Sequence, residues 1–244
     1  MRRRRQNLWF ERFMAVFLIA NLILVLFDLS YISKRSFYFF HVRYQNAPVL
    51  TELYDRVKGI QPNRQTQKYL QIADGLVDRL EKGESVSTPQ IDKTFKLLRN
   101  LSINLINTDP FNNANLSGYL EKIKNRMREH IRVESAKKAF ETFWSANYLI
   151  TRDLKTEIDF YRQEIRPLIS VNYFRTIDES GTFVDRFWQI DIWFNVLFGI
   201  EFLIRTLVIS KRNKIRWFDA TLWRWYDLFL LIPIWRFLRV ITVI

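Results

Sequence analysis

The stretch DIWFNVLFGIEFLIRTLVIS, residues 191–210, decides how this chain is read. Asp191, Phe194, Phe198, Glu201 and Arg205 recur at steps of three and four, so a helix places all five on one face. The remaining positions are almost all apolar. Charges set in an apolar helix need partners or a wet crevice, because an ionised side chain at membrane depth is expensive alone. Past a basic hairpin comes a second apolar segment holding Asp227, with Pro233 near its end, and then Arg236 and Arg239 three residues apart. Carboxylates on two helices and arginines on a third are expected to face one another, as a polar seam inside a membrane helix bundle.

Composition fits a mosaic of membrane and aqueous parts, 48% hydrophobic yet with a mean hydropathy of -0.14. The net charge of +13 could serve nucleic acid, but its placement argues otherwise. Arg2 to Arg5 precede one apolar run, and Lys211, Arg212, Lys214 and Arg216 sit between two others, which is the positive-inside pattern. No nucleic-acid motif accompanies the charge, so the lipid bilayer and not nucleic acid is the expected partner. The absence of cysteine excludes disulfides and thiolate metal sites.

In chain order, residues 1–12 read as a basic cytoplasmic N-terminus and 13–32 as a first span of the roughly 20 residues a bilayer requires. No small-x-small cleavage site follows, so this span is expected to be retained. Asn21 suits an interhelical hydrogen bond. Residues 33–186 read as an extracytoplasmic helical bundle, periplasmic, lumenal or extracellular. Its stripes are Tyr69, Ile72, Ala73, Leu76 and Leu80; Ile91, Phe95, Leu98, Ser102 and Leu105; Leu116, Tyr119, Leu120, Ile123 and Met127; and a longest helix from Ala136 to Tyr161, ended by Pro167. Gly83 closes one helix, and Thr88, Pro89 and Asp92 open the next. No strand pattern stands out. Phe37 to Phe40 with Tyr44 form an interfacial anchor or one side of a ligand cleft. Residues 187–209 make the second span, 210–216 a cytoplasmic loop, 217–234 the third span rimmed by Trp217, Trp223 and Trp225, and 235–244 the start of a fourth. The short cytoplasmic ends point to a bacterial-type membrane.

On these residues the spans resemble voltage-sensor domains of the voltage-gated cation channel (ion transport) superfamily. Phe198-Gly-Ile-Glu201, with Arg205 four residues on, is similar to that family's second helix. YDLFLLIP, with Asp227 and Pro233, looks like its third, and PIWRFLRVI resembles the start of its arginine-bearing fourth. The inserted domain lies outside the likeness. The resemblance implies Phe198 as the aromatic plug of a charge-transfer site, Glu201 and Asp227 as its carboxylates, and Arg236 and Arg239 as mobile charges. Each unit charge crossing the whole field is worth about 2.3 kcal/mol per 100 mV. The next position in the arginine register is Thr242, so two charges imply a shallow response. No TVGYG-like filter occurs, so a pore domain, a C-terminal continuation or another membrane protein is the expected partner. A static ion-pair network and a moving sensor both remain open for the seam.

Catalysis is not expected. His41 and His130 both lie outside the spans, and no phosphate loop, nucleophile elbow or metal-spaced cluster occurs. No cofactor or metal is implied. Two functions are therefore expected: a voltage-sensor-like, channel-like or regulatory module, or a membrane-anchored receptor or accessory subunit whose outer helices bind a ligand or protein.

Overall fold

A computed structural model describes residues 8–44 and 48–225, which are mostly helical. They form two compact units. The described part of unit 1 comprises residues 8–44, 48–58 and 185–225; unit 2 is Gly59–Val184. Asp227, Arg236 and Arg239, and with them half of the third span and all of the fourth, lie outside the described residues.

Unit 1 contains α1 (Leu8–Tyr44), α2 (Pro48–Val57), α10 (Phe187–Asn213) and α11 (Trp217–Trp223). α1 and α10 are long and apolar enough to cross a membrane. α1 does not stop at Ile32 but continues through the polar residues that follow it. No glycine or proline intervenes, and Ser30 and Ser33 turn their hydroxyls back onto the carbonyls of Phe27 and Ser30. α2 packs on α1, so residues 33–44 and 48–58 belong with the apolar helices and the helical bundle begins at Gly59. α11 closes at Trp223, where Arg224 leaves helical geometry (φ -120°), so the helix starting at Trp217 does not run unbroken into the third apolar segment.

Unit 2 contains α3 (Arg64–Glu81), α4 (Pro89–Thr108), α5 (Ser117–Ile131), α6 (Ala136–Phe143), α7 (Ala146–Thr151), α8 (Leu154–Phe160), a π-helical turn at Tyr161–Ile165 and α9 (Arg166–Ser170). Most of the expected stripes on α3, α4 and α5 is buried, with Tyr69, Leu76, Phe95, Leu98, Ile123 and Met127 almost inaccessible, while Ile72, Leu116 and Tyr119 are half-buried and Leu116 precedes α5. Side-chain caps from Asn63 and Ser135 start α3 and α6, while Pro89 occupies the first turn of α4. The helix expected from Ala136 to Tyr161 is broken twice. Ser145 and Asp153 turn their oxygens onto the N–H groups of Tyr148 and Thr156, starting new helices, and Pro167 falls in the first turn of α9.

The chain enters and leaves unit 2 through a short antiparallel pair, β1 (Ile60–Pro62) and β2 (Tyr173–Arg175), in the register Ile60 to Arg175 and Pro62 to Tyr173. Gly59 precedes β1 with φ +62°, and its carbonyl accepts from both the backbone and the hydroxyl of Thr176. A Cβ there would lie 2.5 Å from the Thr176 hydroxyl and 2.7 Å from Val184 Cβ, so the position requires glycine twice over.

Candidate functional site

The buried side of α1 is a single stripe: Met14, Leu18, Asn21, Val25, Asp28, Tyr31, Arg35 and Phe39. Steps of three and four keep it on one face. Three polar residues stand seven apart on it: Asn21, Asp28 and Arg35. Each finds a partner within unit 1.

Asn21 donates to Asp191 Oδ1 at 3.4 Å, and Asn195 donates to Oδ2 at 2.9 Å. The Asp191 carboxylate is thus buried with an amide on each oxygen. Two turns along α10, Phe198 is 3% exposed and packs on Met14 and Leu18. The Phe17 ring lies 4.8 Å from that of Phe194 and meets Phe198 edge-on at 5.9 Å, which completes a dry aromatic layer. Beyond it Glu201, also 3% exposed, holds Arg205 at 2.6 Å. Asp191 and Glu201 are about 15 Å apart along the helix axis, with Phe198 between them. The structure therefore brings Asp191, Phe198, Glu201 and Arg205 onto one seam and gives Glu201 a cation from its own helix.

A second polar cluster lies further along α1. Asp28 accepts from the Tyr54 hydroxyl at 2.6 Å, and Lys58 Nζ stands 2.5 Å from the same carboxylate and 2.6 Å from that of Asp185. Lys58 also faces the Phe187 ring at 5.7 Å, while the other Asp185 oxygen accepts from the Phe187 N–H at the start of α10. Burial, reinforced by the hydrogen bond to Asp28, pushes the Tyr54 hydroxyl well above the ordinary tyrosine pKa. One turn on, Asp55 takes both Nε and Nη2 of Arg35, at 2.9 and 2.7 Å, and the Tyr31 hydroxyl at 2.8 Å. Phe27, Tyr31, Tyr38 and Tyr54 stack around these pairs, so Tyr38 of the expected aromatic anchor serves packing while Phe37 stays exposed. Lys58 and Asp185 carry no periodic signal; the seven-residue spacing of Asn21, Asp28 and Arg35 is the trace the cluster leaves in the sequence.

In unit 2 His130 is satisfied by its surroundings. It lies 2.6 Å from buried Glu157 and stacks on Phe160 at 3.6 Å, and Tyr148 donates to the same carboxylate at 3.2 Å. Burial and the Glu157 charge raise the Tyr148 hydroxyl to about 12. Two open grooves mark the surface of this unit. One, of about 400 Å³, is lined by Asp74, Asp78, Arg162 and Arg166, whose charges pair with one another or with Glu81. The other, of about 420 Å³, is lined by Asn63, Arg64, Gln65, Thr108, Asn113 and Phe174, and Arg64 lies over the Phe174 ring at 5.9 Å. Among the described residues no three histidine or carboxylate side chains converge as a metal site requires. No family model, curated protein or solved structure matches the chain.

Proposed function

We propose that this chain is an integral membrane protein in which α1 and α10 cross the bilayer and the seam between them is a voltage-sensor-like charge pathway. The observation that carries the reading is the order Asp191, Phe198, Glu201: two buried carboxylates on either side of a buried ring, on a helix whose outward positions are apolar. Only 28% of the most apolar window of α1 and 17% of that of α10 is buried, which favours lipid over a protein interior around them. A desolvated ring between two negative sites suits stepwise passage of a cation, because each carboxylate offsets the desolvation that the ring imposes.

In this reading Arg236 and Arg239 are the moving charges, Asp227 joins Glu201 on the inner side, Arg205 is the resting occupant of Glu201, and unit 2 lies outside the cytoplasm. The module regulates a pore or effector partner and is not an enzyme. Its test is voltage-clamp recording of capacitive charge movement from membranes containing the full chain. Glu201→Gln and Arg239→Gln should each shift the voltage dependence or reduce the charge moved. If both leave it untouched, the seam is a static ion-pair network.

A second reading, a membrane-anchored receptor or accessory subunit, is favoured by the groove at Asn63, Arg64 and Phe174. Its lining combines amides, one guanidinium and an aromatic face without a carboxylate. Ligand binding that Arg64→Ala abolishes, without any charge movement, would favour this reading instead.

A further inference from the structure

The corner between α10 and α11 is a built turn. Lys214 ends α10 in the left-handed conformation, φ 54°, and both its N–H and that of Ile215 bond to the Ser210 carbonyl. The Ser210 hydroxyl returns to the Ile215 carbonyl at 2.7 Å, and the Trp217 indole donates at 3.0 Å to the hydroxyl of fully buried Thr206. On this frame Lys211, Arg212, Lys214 and Arg216 are exposed, and among the described residues no carboxylate forms a salt bridge with any of them. Trp217, Phe218 and Trp223 are exposed beside them, at 45%, 66% and 68%.

Apart from the Trp217 indole bonded to Thr206, the fold makes little use of this surface. Four cations within six residues, with no salt-bridge partner among the described residues, repel one another, and a lysine in left-handed geometry stands where glycine would fit without strain. Exposed indole and phenyl rings beside such a cluster match the boundary between phosphate headgroups and acyl chains. We propose that this corner is a docking site for anionic phospholipid: the four cations take the headgroup phosphate, and Trp217, Phe218 and Trp223 lie against the chains. The rings single out a lipid over a soluble phosphate, since the phosphate alone gives them nothing to cover. The inference rests on the reading that α10 crosses the membrane.

The test uses the full chain reconstituted in phosphatidylcholine, with increasing fractions of brominated phosphatidylglycerol quenching tryptophan fluorescence. The native chain should prefer phosphatidylglycerol, and each lost cation should weaken that preference up to about fivefold. Lys214→Gly is the decisive variant, because glycine relaxes the backbone while the charge disappears; its preference should fall although its thermal stability does not. Equal quenching by brominated phosphatidylcholine and phosphatidylglycerol in the native chain would overturn the proposal. So would full competition by soluble glycerol phosphate, which would make the site one for free phosphate. Alkaline carbonate separates the two readings. A chain stripped from the vesicles removes both, whereas a retained chain without lipid preference removes only this one.

Discussion

Lys58 stands 2.5 Å from Asp28 on α1 while its other side holds Asp185 at the head of α10, so one buried ammonium fastens both apolar helices to the end of α2. Breaking a buried pair from one side leaves an uncompensated charge, which costs about 3–5 kcal/mol. Lys58→Met should therefore lower the thermal midpoint of the full chain in detergent strongly. The double variant with Asp28→Asn should recover part of the loss, because the orphaned charge is then gone. Circular dichroism melts of the two variants decide it, and equal melts for Lys58→Met and the native chain would refute the clasp.

Gly59→Ala tests the pair of strands. The substitution asks alanine to hold a positive φ, at about 1–2 kcal/mol. It also thrusts a methyl group into Thr176 and Val184, which by comparison with overpacked cores adds about 1–3 kcal/mol. Proteolysis should then cut near the β1 and β2 strands faster than in the native chain, and Gly83→Ala, where a Cβ meets no neighbour, should cost less.

Asn21→Leu removes the amide donated to Asp191. Hydrogen bonds between membrane helices average only about 0.6 kcal/mol, so resistance to unfolding in mixed micelles should drop slightly. If the seam carries charge, the same substitution should shift its voltage dependence well beyond what that small loss of stability suggests. A large loss of stability would mark Asn21 as a structural keystone instead.

The buried tyrosines of unit 2 should weaken it at alkaline pH. Burial raises the Tyr69 hydroxyl to about 12, burial and Glu157 do the same for Tyr148, and burial with its charged neighbours drives Tyr161 higher still. A group whose folded pKa is raised stabilises the fold below its unfolded value near 10, and that stability is lost as the pH climbs toward the folded value. Thermal midpoints should thus fall between about pH 10 and 12. Tyrosinate absorbance should appear with unfolding, and Tyr148→Phe should flatten the dependence.

The buried face of α10 was legible because polar residues that interrupt an apolar run at helical spacing can be buried together only by sharing one face. Asp191, Phe198 and Glu201 are buried as that spacing requires. The clasp was not legible. Lys58 and Asp185 are separated by 127 positions, and a contact between distant segments leaves no periodicity. The breaks at Ser145 and Asp153 escaped for a different reason: apolar spacing continues across them, so pattern alone joins three helices that capping side chains divide. The end of the first apolar helix was misplaced because Asp28, Lys34 and Arg35 look like a boundary, whereas Asp28 and Arg35 are buried and paired.

The unbroken run of α1 makes it a shaft. Its 37 residues reach about 55 Å, well beyond a hydrocarbon core of about 30 Å. Asn21 and Arg35 lie on this one uninterrupted helix, about 21 Å apart along its axis, so the grip of Arg35 on Asp55 and the contact of Asn21 with Asp191 share a single element. The energetic coupling between these two contacts is measurable as the interaction energy of a double-mutant cycle between Arg35 and Asn21.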